Sequence, residues 1–253
     1  MPGGIHARCH EHPVGFSKSR FSPEVRKLSQ KHIGTKYLSG IGLTTWKRDR
    51  FVSVDAPAAD GTLGVSGYAD YREGQKRIDH NYFLRSRDDG LTWAEHANIG
   101  PGHNETDILR PDGKRLLAAA RTVHEAREDL FVSENLGRSW TLQGPLTGPM
   151  EHPAHLLKPA DGRVVLTYGI RRRGFYGIGA RLSEDGGRNW LSPAVLVNLG
   201  DAWDGGYPSS VQLKDGSILT AYYAGGVKAH TRYHMGVVIW NVDEQWKLNR
   251  APW

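Results

Sequence analysis

The feature that most constrains this chain is an eight-residue box written three times: SRDDGLTW (Ser86 to Trp93), SENLGRSW (Ser133 to Trp140) and SEDGGRNW (Ser183 to Trp190). Each reads S-x-[DN]-x-G-x-x-W. The central residues Asp88, Asn135 and Asp185 lie 47 and 50 residues apart, a period in the range of a propeller blade. A second repeat is phased against the first, with Asp-Gly at Asp60-Gly61, Asp112-Gly113, Asp161-Gly162 and Asp215-Gly216. Asp-Gly between short apolar runs marks a hairpin in which both turn residues take positive φ. The flanking runs, such as HLLKPA with RVVLTYG and SSVQLK with SILTAYY, are too short for a stable helix and rich in strand formers. Each unit therefore reads as strand, DG turn, strand, third strand, box.

Within a box, the Ser and Asp side chains are expected to bind backbone amides while Gly takes positive φ, and the Trp packs between neighbouring sheets. The boxes hold blades together and are not themselves the site. Four units follow, roughly 46–93, 103–140, 152–190 and 206–246, with WNVDEQW (Trp240 to Trp246) a degenerate box at the end of the last. Sheets repeated in this way cannot each bury both faces alone, so they pack around a common axis. The fold class is all-β, a β-propeller of four-stranded antiparallel blades over 46–253. Residues 1–45 show no repeat and read as an N-terminal extension with a short helix after Ser22, a closing strand, or a partly disordered stretch.

Composition narrows the chemistry. With 33 Lys+Arg against 27 Asp+Glu the net charge is +6, which suits an anionic ligand but selects none. One cysteine, Cys9, excludes an internal disulfide framework. No apolar stretch is long enough to span a bilayer, and the start lacks the apolar core of a secretory signal, so no membrane and a cytoplasmic setting are expected. His6, Cys9, His10 and His12 match no standard zinc spacing, and neither a phosphate loop nor a G-x-S-x-G elbow occurs. No metal, no cofactor and no nucleic acid are expected.

Box and period together resemble the Asp-box (BNR-repeat) sialidase superfamily, over about residues 46–246. That resemblance implies three arginines holding a sugar carboxylate, a tyrosine nucleophile paired with a glutamate, and an aspartate as acid/base. HNETDILRPDGKRLLAAAR is similar to the family segment with glutamate at one strand's start and arginine at the next strand's end, which gives Glu105 and Arg121. GGYPSSVQLKDGSILTAYY places the nucleophile at Tyr207, which Pro208 biases toward extended backbone. TYGIRRRGFYG offers Arg171, Arg172 and Arg173, with Arg172 preferred. WKRDRFVSVDAPAADG gives Arg50, with Arg48 behind it, although Phe51-Val52 stand where the family has Ile-Pro. Asp79 fits the acid/base, with Asp70 the alternative, and His152 and His155 in EHPAHLL are further ligand candidates.

The implied activity is a retaining exo-glycosidase releasing a terminal anionic sugar. The alternatives are a glycan-binding propeller without turnover, and an enzyme acting on a uronic acid or other sugar in which one of the histidines serves as base. Family catalytic domains have six blades, so the four units suggest blades missing between Trp93 and Glu105, a shorter ring, a piece of a longer chain, or an oligomer that completes the ring.

Overall fold

The computed structural model describes residues 49–55, 62–73, 76–88, 90–227 and 230–250. The extension 1–45, with its histidines and Cys9, lies outside the described residues, as does Arg48. The rest is four antiparallel sheets taken in chain order. The first comprises β1 (Asp49–Asp55), β2 (Leu63–Glu73), β3 (Lys76–Ser86) and β4 (Ala94–Pro101). The second comprises β5 (His103–Asp112), β6 (Arg115–Thr122), β7 (Glu128–Ser133) and β8 (Thr141–Pro145). The third is β9 (Glu151–Leu157), β10 (Val164–Arg172), β11 (Phe175–Ser183) and β12 (Ala194–Gly200). The fourth has three strands, β13 (Gly205–Gln212), β14 (Ile218–Ala224) and β15 (His234–Trp240), followed by helix α1 (Val242–Arg250). This is propeller architecture, with each sheet's first strand against the next sheet's: β1 on β5, β5 on β9, β9 on β13.

The middle sheets are covered on both sides, and their strands show why. In β6, Leu116, Ala118 and Ala120 pack with Phe83 and Ile99 of the first sheet, while Leu117 and Ala119 pack with Leu156, Val164 and Leu166 of the third. Alternate side chains leave opposite faces of a strand, so a strand between two cores must be apolar throughout. The third and fourth sheets share a core of Val165, Leu182, Ile218 and Trp240. On β15 the alternation returns, and Met235, Val237 and Ile239 are exposed.

All three boxes form the expected turn. In the second, the Ser133 hydroxyl accepts from Gly137 N at 2.8 Å, Asn135 Oδ1 accepts from Ser139 N at 2.9 Å, and Gly137 has φ +78°. Trp140 meets Phe83 edge-on at 5.7 Å, between the first and second sheets, and Trp190 packs on the core between the second and third.

Residues 94–101 are β4, the outer strand of the first sheet, so the second sheet follows the first directly in the chain. Two expectations are corrected. In the described DG turns only glycine takes positive φ, as at Gly162 and Gly216. Asp161 Oδ1 and Asp215 Oδ1 instead accept from the amides two residues on. The loops containing Asp161 and Asp215 are longer than the two-residue hairpin in which both positions turn left-handed. Finally, Trp240 to Trp246 is no box: it lacks the turn glycine, and Asn241 instead caps α1, accepting from Asp243 N at 2.9 Å, with Asp243 and Glu244 favouring the helix start.

Candidate functional site

The hairpins β6–β7 and β10–β11 and the junctions β4–β5, β8–β9 and β12–β13 share one end of the propeller, while the boxes and DG turns share the other. Glu105 lies near the start of β5, Arg121 near the end of β6, Arg171 near the end of β10 and Tyr207 near the start of β13. Strands that alternate in direction thus bring sequence-distant residues to one rim.

The Tyr207 hydroxyl donates to Glu105 Oε1 at 2.5 Å, across 102 residues of sequence. Arg121 Nη1 donates to Glu105 Oε2 at 2.8 Å, so both carboxylate oxygens are held. Tyr207 is half-exposed at 47 %. Its φ is +47°, not extended as Pro208 suggested: β13 bulges against β14 between Gly206 and Ser209, and this displaces the residue from regular strand geometry. A non-glycine residue in that region is uncommon and costs energy, which fits a side chain aimed at a particular partner. Burial, then the hydrogen bond and charge of Glu105, push the phenol above its usual range, against the opposing pull of Arg121 and Arg171. It stays protonated at neutral pH.

Of the three consecutive arginines, Arg171 reaches this pair. Its guanidinium carbon sits 5.6 Å from the Tyr207 ring centroid, within cation–π range. Nε donates to Gly205 O at 2.8 Å and Nη2 to the Tyr223 hydroxyl at 2.8 Å. Arg172, the residue preferred from sequence, pairs with Glu151 at 3.1 Å, since the next residue of a strand leaves by the other face. Arg50 falls on β1, and its side chain lies outside the described residues, as does that of Asp70.

Asp79 is only 2 % exposed and accepts from Asn104 Nδ2 at 3.2 Å, while Asn104 Oδ1 accepts from Glu105 N at 2.7 Å. A proton donor must touch the leaving oxygen, and a buried carboxyl does not. Asp79 is placed instead to fix Asn104 and, through it, the backbone of Glu105. His152 is 2 % exposed, with its ring lowered to about 3 by burial and then by Arg121 and Arg171, so it sits neutral near those arginines rather than facing a ligand. His155 Nδ1 accepts from Ser210 N at 3.3 Å, joining β9 to β13. Neither histidine is presented as an exposed base, so the elimination chemistry has no support here.

Sequence reasoning missed Asp204, Tyr223 and Tyr233. Asp204 accepts from the Tyr223 and Tyr233 hydroxyls, each at 2.6 Å, and those bonds hold its carboxyl below the usual range. The only sequence signal was aromatic density, in WDGGY and AYY. Also unforeseen was Glu128, cross-strand neighbour of Arg121, 1 % exposed with neither carboxylate oxygen hydrogen-bonded among the described residues. Burial drives its acidity well down. The folded state therefore keeps a proton that the unfolded chain releases, and stability falls as pH rises above the ordinary glutamate range. Above about pH 7.5, where His152 is neutral in both states, the wild type should lose stability as pH rises, by at most about 1.4 kcal/mol per pH unit, until Glu128 titrates. Glu128→Gln should remove that slope; equal urea midpoints for the two proteins at pH 8 would contradict it.

Among the described residues no group of three or more His, Cys, Asp or Glu is placed to hold a metal, and no helix is long and apolar enough to cross a membrane.

Fold and rim together define a β-propeller carrying a tyrosine–glutamate pair flanked by arginines. Residues 43–220 match the BNR repeat-like domain, and the chain belongs to that family. No curated protein matches the sequence. Among solved structures, the Hadza microbial sialidase Hz136 superposes with a TM-score of 0.55 at 19 % identity, over 75 % of this chain and 37 % of its own. NanB sialidase from Streptococcus pneumoniae gives 0.54 at 15 %, over 75 % and 30 %. The Penicillium chrysogenum alpha-L-arabinanase gives 0.56 at 16 %, over 75 % and 62 %. The chain thus spans about a third of the length of the two sialidases, and likeness at this identity establishes the fold.

Proposed function

We propose that the protein is a retaining glycoside hydrolase that removes a terminal, acidic sugar from a glycan, with Tyr207 as nucleophile and Glu105 as its base. The observation that carries this reading is the 2.5 Å hydrogen bond from the Tyr207 hydroxyl to Glu105. A phenol is a weak nucleophile until a base takes its proton, and a carboxylate at hydrogen-bond distance does so as the bond to carbon forms. A sugar carrying a carboxylate at its anomeric carbon would repel a carboxylate nucleophile but not a phenol. Arg121 and Arg171 supply the fixed positive charge beside it.

In the first step the Tyr207 proton passes to Glu105, the phenolic oxygen bonds the anomeric carbon, and the bond to the leaving oxygen breaks. That oxygen takes a proton at the open cleft or departs as a stabilised anion. In the second step water attacks the anomeric carbon and loses a proton to solvent, while the released phenolate recovers its own from Glu105. Two displacements retain configuration. Similarity to sialidases and an arabinanase supports the class of reaction and leaves the sugar to experiment.

The burial of Asp79 favours a second reading, a glycan-binding propeller that holds the sugar without turnover. A panel of 4-methylumbelliferyl glycosides with sialic acid, uronic acid and arabinofuranose glycons separates the two, because so good a leaving group needs little protonation. Release of fluorophore with the retained anomer first in the NMR spectrum is the expected result. Saturable binding without release would select the second reading, and neither binding nor release would remove both.

A further inference from the structure

Beyond the pair lies a run of aromatic rings that the chemistry above does not use. From Tyr207 the ring of Tyr223 is 5.9 Å away between centroids, and from Tyr223 the ring of Tyr233 is a further 6.1 Å. The rings are tilted by 39° and 35°, so they form a curved strip rather than a stack. Tyr233 is 66 % exposed, and Trp203, the residue before Asp204 in the chain, is 69 % exposed. Large aromatic surface left in water beside a reacting pair calls for an explanation, since packing alone would bury it.

The strip is also rigidly held. Asp204 accepts from both phenols at 2.6 Å, and Arg171 donates to Tyr223 while stacking near Tyr207. An exposed phenol tied at its hydroxyl has lost much of its rotational freedom before any ligand arrives, which lowers the cost of binding. Faces of sugar rings are rich in C–H and stack on aromatic faces, while their hydroxyls suit a carboxylate such as Asp204. The spacing of the rings is on the scale of a single sugar unit.

We infer that Tyr223 and Tyr233, pinned by Asp204, form a subsite for the sugar unit adjoining the one engaged at Tyr207, so that the substrate is an oligosaccharide rather than a sugar on a small aglycone. This rests on the hydrolase reading above. Tyr233 is a specificity determinant here and takes no part in bond breaking.

The test compares wild type with Tyr233→Ala and Tyr233→Phe on two substrates sharing the terminal sugar identified by the panel: its 4-methylumbelliferyl glycoside and an oligosaccharide ending in it. Tyr233→Ala should lower the ratio of kcat/KM for oligosaccharide over aryl glycoside about tenfold, through KM, as expected for one lost aromatic contact. Tyr233→Phe, which keeps the ring, should retain most of that ratio. An unchanged ratio in Tyr233→Ala overturns the subsite. If wild type turns over neither substrate the hydrolase reading fails, and saturation-transfer NMR with the same oligosaccharide then decides: binding weakened about tenfold in Tyr233→Ala supports the subsite, whereas equal or absent binding overturns it.

Discussion

Tyr207→Phe is expected to lower kcat on the best aryl glycoside by at least about a thousandfold while the fold remains intact, because it deletes the nucleophilic oxygen and little else. Tyr207 is half-exposed and its ring keeps the same neighbours, Tyr223 and Arg171, so the melting temperature should move little. Glu105→Gln should cost about a hundredfold or more, since an amide oxygen still accepts the hydrogen bond but takes no proton. It also leaves Arg121 without its carboxylate partner, so a rise in KM should accompany the fall in kcat. The phenol titrates above its usual range, so activity should not climb through the region where a free tyrosine ionises. Full activity of Tyr207→Phe would remove the nucleophile, and with it the mechanism.

The legible parts of this molecule were those whose cause is local. A box turn is closed within a few residues by Ser133 Oγ, Asn135 Oδ1 and a left-handed Gly137, so its sequence is its structure. The Tyr207–Glu105 pair is different in kind. Nothing across that separation of 102 positions states the contact, and only resemblance to a family singled out the two residues. The arginine run failed for a physical reason. Strand β10 is buried on both faces, so its residues Val164 to Ile170 show no alternation from which to set the phase of Arg171 and Arg172. Trp240 to Trp246 misled because an aspartate followed by a closing tryptophan outweighed the missing glycine, although Asn-Val-Asp-Glu is a helix start. Asp79 was placed by its distance ahead of a box, which fixes the strand but says nothing of burial.

The box glycines yield the second large effect, and it reaches beyond the turn. A Cβ built on Gly137 would lie 2.2 Å from Cδ1 and 2.3 Å from Cε1 of Phe83, a buried ring on β3 of the preceding sheet. Phe83 is wedged among Ile99, Ile108, Leu116 and Phe131 and has nowhere to retreat. Gly137→Ala therefore combines the cost of a left-handed φ, about 1–2 kcal/mol, with overpacking of about 1–3 kcal/mol. A loss of about 2–5 kcal/mol should lower the melting temperature by roughly 5–15 °C in a chain of this size. Gly90 supplies the control. Its φ is +82°, yet a Cβ there would meet Trp93 at 3.7 Å and Leu63 at 3.8 Å, ordinary contact within its own sheet. Gly90→Ala should accordingly lose only the backbone part. Each box after the first is thus a tenon seated in the sheet before it, as Arg85 of β3 confirms by donating to Leu136 O at 2.9 Å. The same junction carries Ser66 and Asn81 of the first sheet, both bonded to Thr106, one residue from Glu105. Forcing the box away from Phe83 should therefore impair the Tyr207–Glu105 pair at temperatures where the protein is still folded. Equal destabilisation by Gly137→Ala and Gly90→Ala would show that the box acts only within its own turn.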